Sequence, residues 1–295
     1  MNQSIIIEEQ HRTVVAQYSP IPRNDDDYQS EAKLEKELIS TLSAQGYGTP
    51  AIHTEADMLA NLRRQLEALN SITFTDAEWA RFFKQNIQCE PNNGQSVSND
   101  VIEQCTIKIQ KTRTFSLTRD DGTVKNIDII DAANPYRNTL QVINQYVPEG
   151  GAHANRYDVT ILVNGLPLVH IELKRRGVNI KEAFNQINRY GRDSFWAGSG
   201  LFNYVQIFVV SNGTNTKYYA NTTRYAHVKE QNGQKQGKVK KDCNSWEFTS
   251  FWADEQNNII ADLADFARTF FAKSTILNPN RSLEIWHVYF SNDRH

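Results

Sequence analysis

Apolar positions in the first third of the chain recur with a helical period. Leu34, Leu38 and Leu42 fall four apart, behind a capping Ser30 and a first-turn Glu31, with Gly46 and Gly48 beyond them. This predicts a helix. Met58, Leu62, Leu66 and Leu69 form one stripe of a second helix over 56–70. A third is predicted over 75–87 with Asp76 as its cap, followed by a polar loop at 90–101. The period then drops to two. Residues 114–131 read as a hairpin turning at Asp121-Gly122. A linker over 134–154 leads to a second hairpin at 156–177, with Asn164-Gly165 at its turn. Residues 180–196 are helical, with Ala183, Ile187 and Tyr190 on one side. The nearly continuous apolar run at 203–213 suits a strand buried on both faces. A short strand at 216–223, a basic loop at 231–244 and an amphipathic helix at 258–273 complete the pattern. Helices followed by mixed strands and helices predict an α/β domain with helices on both sides of the sheet.

Composition narrows the classes. The 295 residues are 39% hydrophobic, enough for one large domain or two small ones with a real core. A net charge of −2 excludes a global basic field, so a nucleic-acid contact must rest on local patches. Cys89, Cys105 and Cys243 are too few and scattered for a disulfide framework or a zinc site, and suggest a reducing compartment. The first residues carry a run of three isoleucines, too short for a signal peptide, and no run approaches the ~18–20 apolar residues of a membrane helix. A cytoplasmic protein is expected. There is no GxxxxGK[ST] phosphate loop; the string at 233–239 has the wrong glycine spacing.

The second hairpin carries unexpected charge. Val159, Ile161 and Val163 alternate with Asp158 and Thr160; Val169, Ile171 and Leu173 alternate with His170, Glu172 and Lys174. If the apolar sets share one face, Asp158, Glu172 and Lys174 share the other. A two-residue Asn164-Gly165 turn would pair Asp158 with Ile171 and separate the acids. A three-residue turn with Gly165 in the left-handed bulge position would pair Asp158 with His170, so alternation predicts a bulge at Gly165. Two adjacent carboxylates repel unless a cation sits between them. Magnesium is held by one or two carboxylates plus phosphate, and neutralises charge on a reacting phosphodiester. Lys174 would orient the attacking water, help deprotonate it or steady the developing charge. The plain alternative is a ladder of surface ion pairs worth under ~1 kcal/mol. The apolar strands argue against it, because a covered face has little reason to hold unpaired acids.

Asp158 with Glu172-Leu173-Lys174 resembles the PD-(D/E)xK nuclease motif, and Gln186 with Tyr190 resembles the QxxxY motif of its RecB-like branch. The stretch from His153 to Tyr190 is similar to the N-terminal endonuclease domain of the R (HsdR) subunit of type I restriction-modification enzymes. The resemblance implies a restriction-endonuclease-like mixed β-sheet flanked by helices, with an additional helical N-terminal segment. It implies magnesium-dependent cleavage of double-stranded DNA, with manganese as a substitute. It implies Asp158, Glu172 and the Leu173 carbonyl as metal ligands, Lys174 as the catalytic lysine, and Gln186 and Tyr190 in support. An acid on the first helix often completes such sites; Glu31 is preferred over Glu35. In the family, modification and specificity subunits and an ATP-driven motor act with this domain, and the motor's sequence is not found in this chain. The boundaries expected are an extension over 1–27, the nuclease domain over 28–275, and a tail over 276–295 that does not resemble the family and is set apart as foreign to it.

Arg175, Arg176, Arg189 and Arg192, with Lys181, cluster near the hairpin and helix and are candidate phosphate contacts. Lys235, Lys238, Lys240 and Lys241 form a second basic group. His153 and His170 flank the acids, and His170 is expected as a neighbour of the site rather than a ligand. Two other readings stay open: a non-catalytic DNA-docking or assembly module, and a stand-alone repair nuclease of the same superfamily.

Overall fold

The computed structural model describes residues 29–89, 99–151, 153, 155–224, 246–254 and 256–277, the side chains of 99–104 and 192 excepted. The N-terminal extension, the basic loop with Lys235 to Lys241, Cys243 and the tail from 278 lie outside these residues.

Helix α1 (Glu31–Ala44) starts where Ser30 accepts a hydrogen bond from the Lys33 amide, and it buries Leu34, Leu38 and Leu42. Helix α2 (Glu55–Asn70) is opened by a capping box between Thr54 and Asp57 and buries Met58, Leu62, Leu66 and Leu69. Helix α3 (Asp76–Phe82) runs into a π-helical turn at Phe83–Ile87. Its cap is Thr75, not Asp76. The Thr75 hydroxyl accepts from the Glu78 amide while the Glu78 carboxylate accepts from the Thr75 amide, a reciprocal pair that the threonine one position earlier makes possible.

Two stretches read as loops are ordered elements. Helix α4 (Asn99–Lys111) begins inside the predicted polar loop and buries Cys105, Thr106 and Ile109. Strand β3 (Leu140–Tyr146) lies inside the predicted linker and forms an edge of the main sheet. Its sequence alternates weakly because Gln141 is buried too, exchanging amide hydrogen bonds with Asn61 of α2. Cys89 and Cys105 are joined as a disulfide, one staple from the end of the π-helical turn to α4. The expectation drawn from the cysteine count is corrected to that extent.

The first hairpin, β1 (Thr114–Thr118) and β2 (Val124–Asp128), forms a separate two-stranded sheet, with Gly122 at φ +84° in its turn. The main sheet runs β3, β4 (Tyr157–Val163), β5 (Leu166–Leu173), β6 (Ile207–Ser211) and β7 (Thr216–Ala220), all antiparallel except the parallel β5–β6 pair. Helix α5 (Lys181–Asp193) makes the crossover between β5 and β6 and packs against both. Helix α1 packs on α6 (Leu263–Phe270) and against β3 and β5; a short α7 (Lys273–Ile276) follows. This is the mixed, helix-flanked α/β architecture expected. Among the described residues no helix is long and apolar enough to cross a membrane.

The β4–β5 register differs from the expectation. Val163 pairs with Leu166, so Asn164-Gly165 is a two-residue turn, with φ +49° and +85° as a type I′ turn requires. Asn164 holds that conformation through side-chain bonds to the Thr139 amide, the Ile129 carbonyl and Asn138. A Cβ on Gly165 would lie 2.6 Å from the Leu62 Cα, so only glycine lets α2 approach the turn. The extra residue is Leu168, bulged between the Leu162–Pro167 and Ile161–Val169 pairs. Pro167 brings no N–H to the ladder, which makes its neighbour a natural place for a bulge, and the freed Leu168 carbonyl accepts from the Gln206 amide. The shift pairs Val159 with Ile171, and the same register sets Asp158 opposite Glu172, not opposite His170.

Candidate active site

The central strands bring the charged residues together at one end. Every residue of β5 is buried, and Glu172 is 0% exposed. Asp158 Oδ2 accepts from the Leu173 amide at 2.9 Å, tying the first acid to the strand that bears the second. The parallel ladder continues past β5, where the Lys174 amide donates to the Ser211 carbonyl at 2.8 Å. The Lys174 side chain turns back over the site. Its Nζ lies 2.9 Å from the Leu173 carbonyl oxygen, 3.6 Å from Glu172 Oε1 and 3.9 Å from Glu31 Oε1.

Glu31 and Glu35 are separated by their partners. Glu31, at the start of α1, also accepts from the Arg175 amide at 3.4 Å and so faces the site. Glu35 is taken up by the side chains of Asn144 and Gln145. On α5, Gln186 Nε2 donates to the Tyr190 hydroxyl at 2.5 Å, and that hydroxyl donates to the Arg156 carbonyl at 2.8 Å. Tyr190 also stands 3.5 Å from Glu172 Oε1. The four-residue spacing on one helix face is what lets the pair meet. Arg175 and Arg189 are exposed and Arg176 is half-buried; the Arg189 guanidinium lies 5.5 Å from the Tyr190 ring centroid. The side chain of Arg192 lies outside the described residues. His153 is exposed, whereas His170 is fully buried with Nε2 3.4 Å from Glu172 Oε2. Alternation already placed Thr160, His170 and Glu172 on one face; apart from Tyr157 of β4, the aromatic surroundings of His170 come from α5 and the segments after it, which spacing does not reveal.

Burial raises both carboxyls, and Lys174 offsets only part of that shift. Burial, aided by Glu172, pushes Asp158 up to about 7. Burial likewise pushes Glu172 up to about 8, with Lys174 opposing. Burial pushes His170 down to about 4, so the imidazole is neutral and supplies no countercharge. Glu172 Oε2 has no hydrogen-bond partner despite its burial. Among the described residues no three His, Cys, Asp or Glu side chains are grouped to hold a metal. The donors here are two carboxylates and a backbone carbonyl, an all-oxygen set that suits a hard divalent cation retaining several waters. That donor set, with both carboxyls raised by burial, fits such an ion.

Comparison with known proteins decides the family. Residues 28–227 match the model for the type I restriction enzyme R protein N terminus. The chain belongs to that family. It is 46% identical over 274 residues to the EcoprrI type I restriction enzyme endonuclease subunit of Escherichia coli, covering 92% of this chain and 80% of that protein. It is 36% identical over 248 residues to type I restriction enzyme endonuclease subunits of Staphylococcus saprophyticus and Staphylococcus aureus, covering 82% of this chain and 23% of each of those. The chain thus spans under a quarter of the staphylococcal relatives. The R-protein match contains every residue of the candidate site, from Glu31 to Tyr190.

Proposed function

We propose that this domain is the magnesium-dependent endonuclease of a type I restriction-modification R subunit, cutting double-stranded DNA by phosphodiester hydrolysis. The observation that carries it is the convergence of Asp158, Glu172, the Leu173 carbonyl and Lys174 on one buried niche at the ends of β4 and β5. Asp158, Glu172 and the Leu173 carbonyl would hold the ion. A bound divalent cation lowers the pKa of water and offsets charge on the phosphate.

The protein's own groups do the rest. Lys174 is held by Leu173 and Glu172 with its ammonium toward the acids, placed to orient water and to offset phosphorane charge. Glu31 restrains that ammonium from the α1 side. Gln186 and Tyr190 fix the wall beside Glu172 through the Arg156 carbonyl. Arg175, Arg176, Arg189 and Arg192 are proposed phosphate contacts, which would position the duplex without reading its sequence. Sequence choice would then come from specificity and modification subunits, and ATP-driven translocation from motor domains of the R subunit. No step of either is assigned to the residues described above.

The test is nicking of covalently closed circular DNA with magnesium, with and without the partner subunits, for the wild type, Asp158→Ala and Lys174→Ala. Loss of cutting in both folded variants is expected. Equal cutting by all three proteins would remove the site from these residues. A wild type that binds the complex but never cuts would favour a docking module, and cutting without any partner would favour a stand-alone nuclease.

A further inference from the structure

One polar pair lies deeper on the same face of the sheet. His170 is fully buried, with its ring edge-on to Tyr157, Tyr190, Phe195 and Phe208 at centroid distances of 5.3, 5.9, 5.5 and 6.3 Å. Such a position would suit phenylalanine. The imidazole nevertheless has a polar neighbour at each nitrogen. Thr160, its buried partner across the β4–β5 ladder, places Oγ1 3.5 Å from Nδ1. Glu172 places Oε2 3.4 Å from Nε2. The carboxylate is therefore divided between two surroundings. Oε1 faces Lys174 and the Tyr190 hydroxyl, while Oε2 faces His170. Neither Nε2 nor Oε2 has an aligned hydrogen bond.

We infer that His170 is a positioning residue for Glu172: as the Nε2–H tautomer it donates toward Oε2, with the Thr160 hydroxyl donating to Nδ1, so that Oε1 is presented to the cation site. This rests on Glu172 being a cation ligand, as proposed above. The tautomer follows from chemistry. A hydroxyl donating to Nδ1 leaves the proton on Nε2. With Glu172 ionised on a cation, the opposite tautomer would press two lone pairs, on Nε2 and Oε2, together in a dry interior. Contacts of 3.4 and 3.5 Å are longer than aligned hydrogen bonds, and contacts of this kind tighten when a site is filled. Metal-binding carboxylates are themselves held by outer groups, whose loss typically costs about 10–100-fold in metal affinity.

The experiment is calorimetric titration of the full chain with Mn2+ alone, without DNA. His170→Phe keeps an aromatic ring and removes the donor; His170→Gln returns an amide N–H at a similar reach; Thr160→Val removes the hydroxyl. His170→Phe is expected to weaken Mn2+ binding about 10–100-fold. His170→Gln should recover most of that loss, and Thr160→Val should fall between. Glu172→Gln is the reference. If Glu172→Gln abolishes binding while His170→Phe binds as the wild type does, the role of His170 is wrong and the cation site stands. If Glu172→Gln itself binds normally, the underlying site assignment fails. Should the phenylalanine variant misfold, histidine 15N spectra of the Mg2+-loaded wild type above pH 8, where Glu172 is ionised, decide independently. The Nε2–H tautomer is expected, and an Nδ1–H tautomer or an imidazolium overturns the inference.

Discussion

Glu78 and Glu172 are both buried glutamates beside an antiparallel hairpin, yet their carboxyls shift in opposite directions. Glu78 is 1% exposed and fully employed. It accepts from the Thr75 amide at 3.0 Å, the Asp120 amide at 3.0 Å and Arg119 Nε at 2.8 Å. Those bonds, the Thr75 amide foremost, hold its carboxyl below the ordinary range and fasten α3 to the β1–β2 turn. Glu172 has Lys174, Tyr190 and His170 around it, but at 3.6, 3.5 and 3.4 Å. Its carboxyl is pushed up instead. A buried acid whose bonds are complete is part of the scaffold. A buried acid left short of bonds points to a partner that binds there.

The comparison breaks most sharply on activity. Asp158→Ala and Lys174→Ala should reduce cleavage by at least about 10²–10⁴-fold, the range of a lost proton-transfer or charge-stabilising group, with the fold intact by circular dichroism. Glu78→Gln should lower the thermal midpoint and leave the rate per folded molecule unchanged; a cleavage defect in that variant would erase the distinction.

The next effect is on stability against pH. A carboxyl whose folded pKa lies above its unfolded value keeps its proton better in the folded state. Folding is therefore favoured at low pH and loses stability as pH rises from the unfolded value of roughly 4. For Asp158 and Glu172 the loss is complete only above about 7 and 8. Thermal melts without divalent cations should fall across this window, and Glu172→Gln should flatten the decline. Millimolar Mg2+ at pH 8 should raise the wild-type midpoint more than that of Glu172→Gln. A wild-type melt that is flat over the window would show that these groups are not raised. Glu78, held low, contributes in the opposite sense: its stabilisation is present above the unfolded pKa and fades as the solution turns acid.

The smallest effect is expected at Tyr190→Phe. It removes the hydroxyl bonded to Arg156 and Gln186, for a stability cost of about 1 kcal/mol. Cleavage should drop by about tenfold, one such increment at the wall of Glu172. A loss as large as that of Lys174→Ala would mean that Tyr190 touches the reacting atoms.

Much of this was legible beforehand where local pattern and final structure agree. Leu34, Leu38 and Leu42 announced α1, and the alternation through 158–173 announced a hairpin whose acids share a face. Misreadings came where the deciding partner is distant. Strand β3 holds a buried Gln141 that makes sense only beside Asn61. Helix α4 opens on polar residues, and it is anchored by a disulfide to Cys89. The bulge was assigned to Gly165 because glycine is the usual bulge residue, but the approach of Leu62 needs Gly165 in a tight turn, and Pro167 moves the irregularity to Leu168.

By itself, the sequence determined the period of its elements, the chemical types gathered on one hairpin face and the family to which they belong. These follow from side-chain alternation and from residue order, which no packing alters. Tertiary structure decided which glutamate of α1 faces the acids, that Asp158 stands opposite Glu172, and that Glu172 is left short of bonds where Glu78 is not. Each of those depends on groups far apart in the chain meeting inside a medium without water, where an unmatched charge cannot be screened.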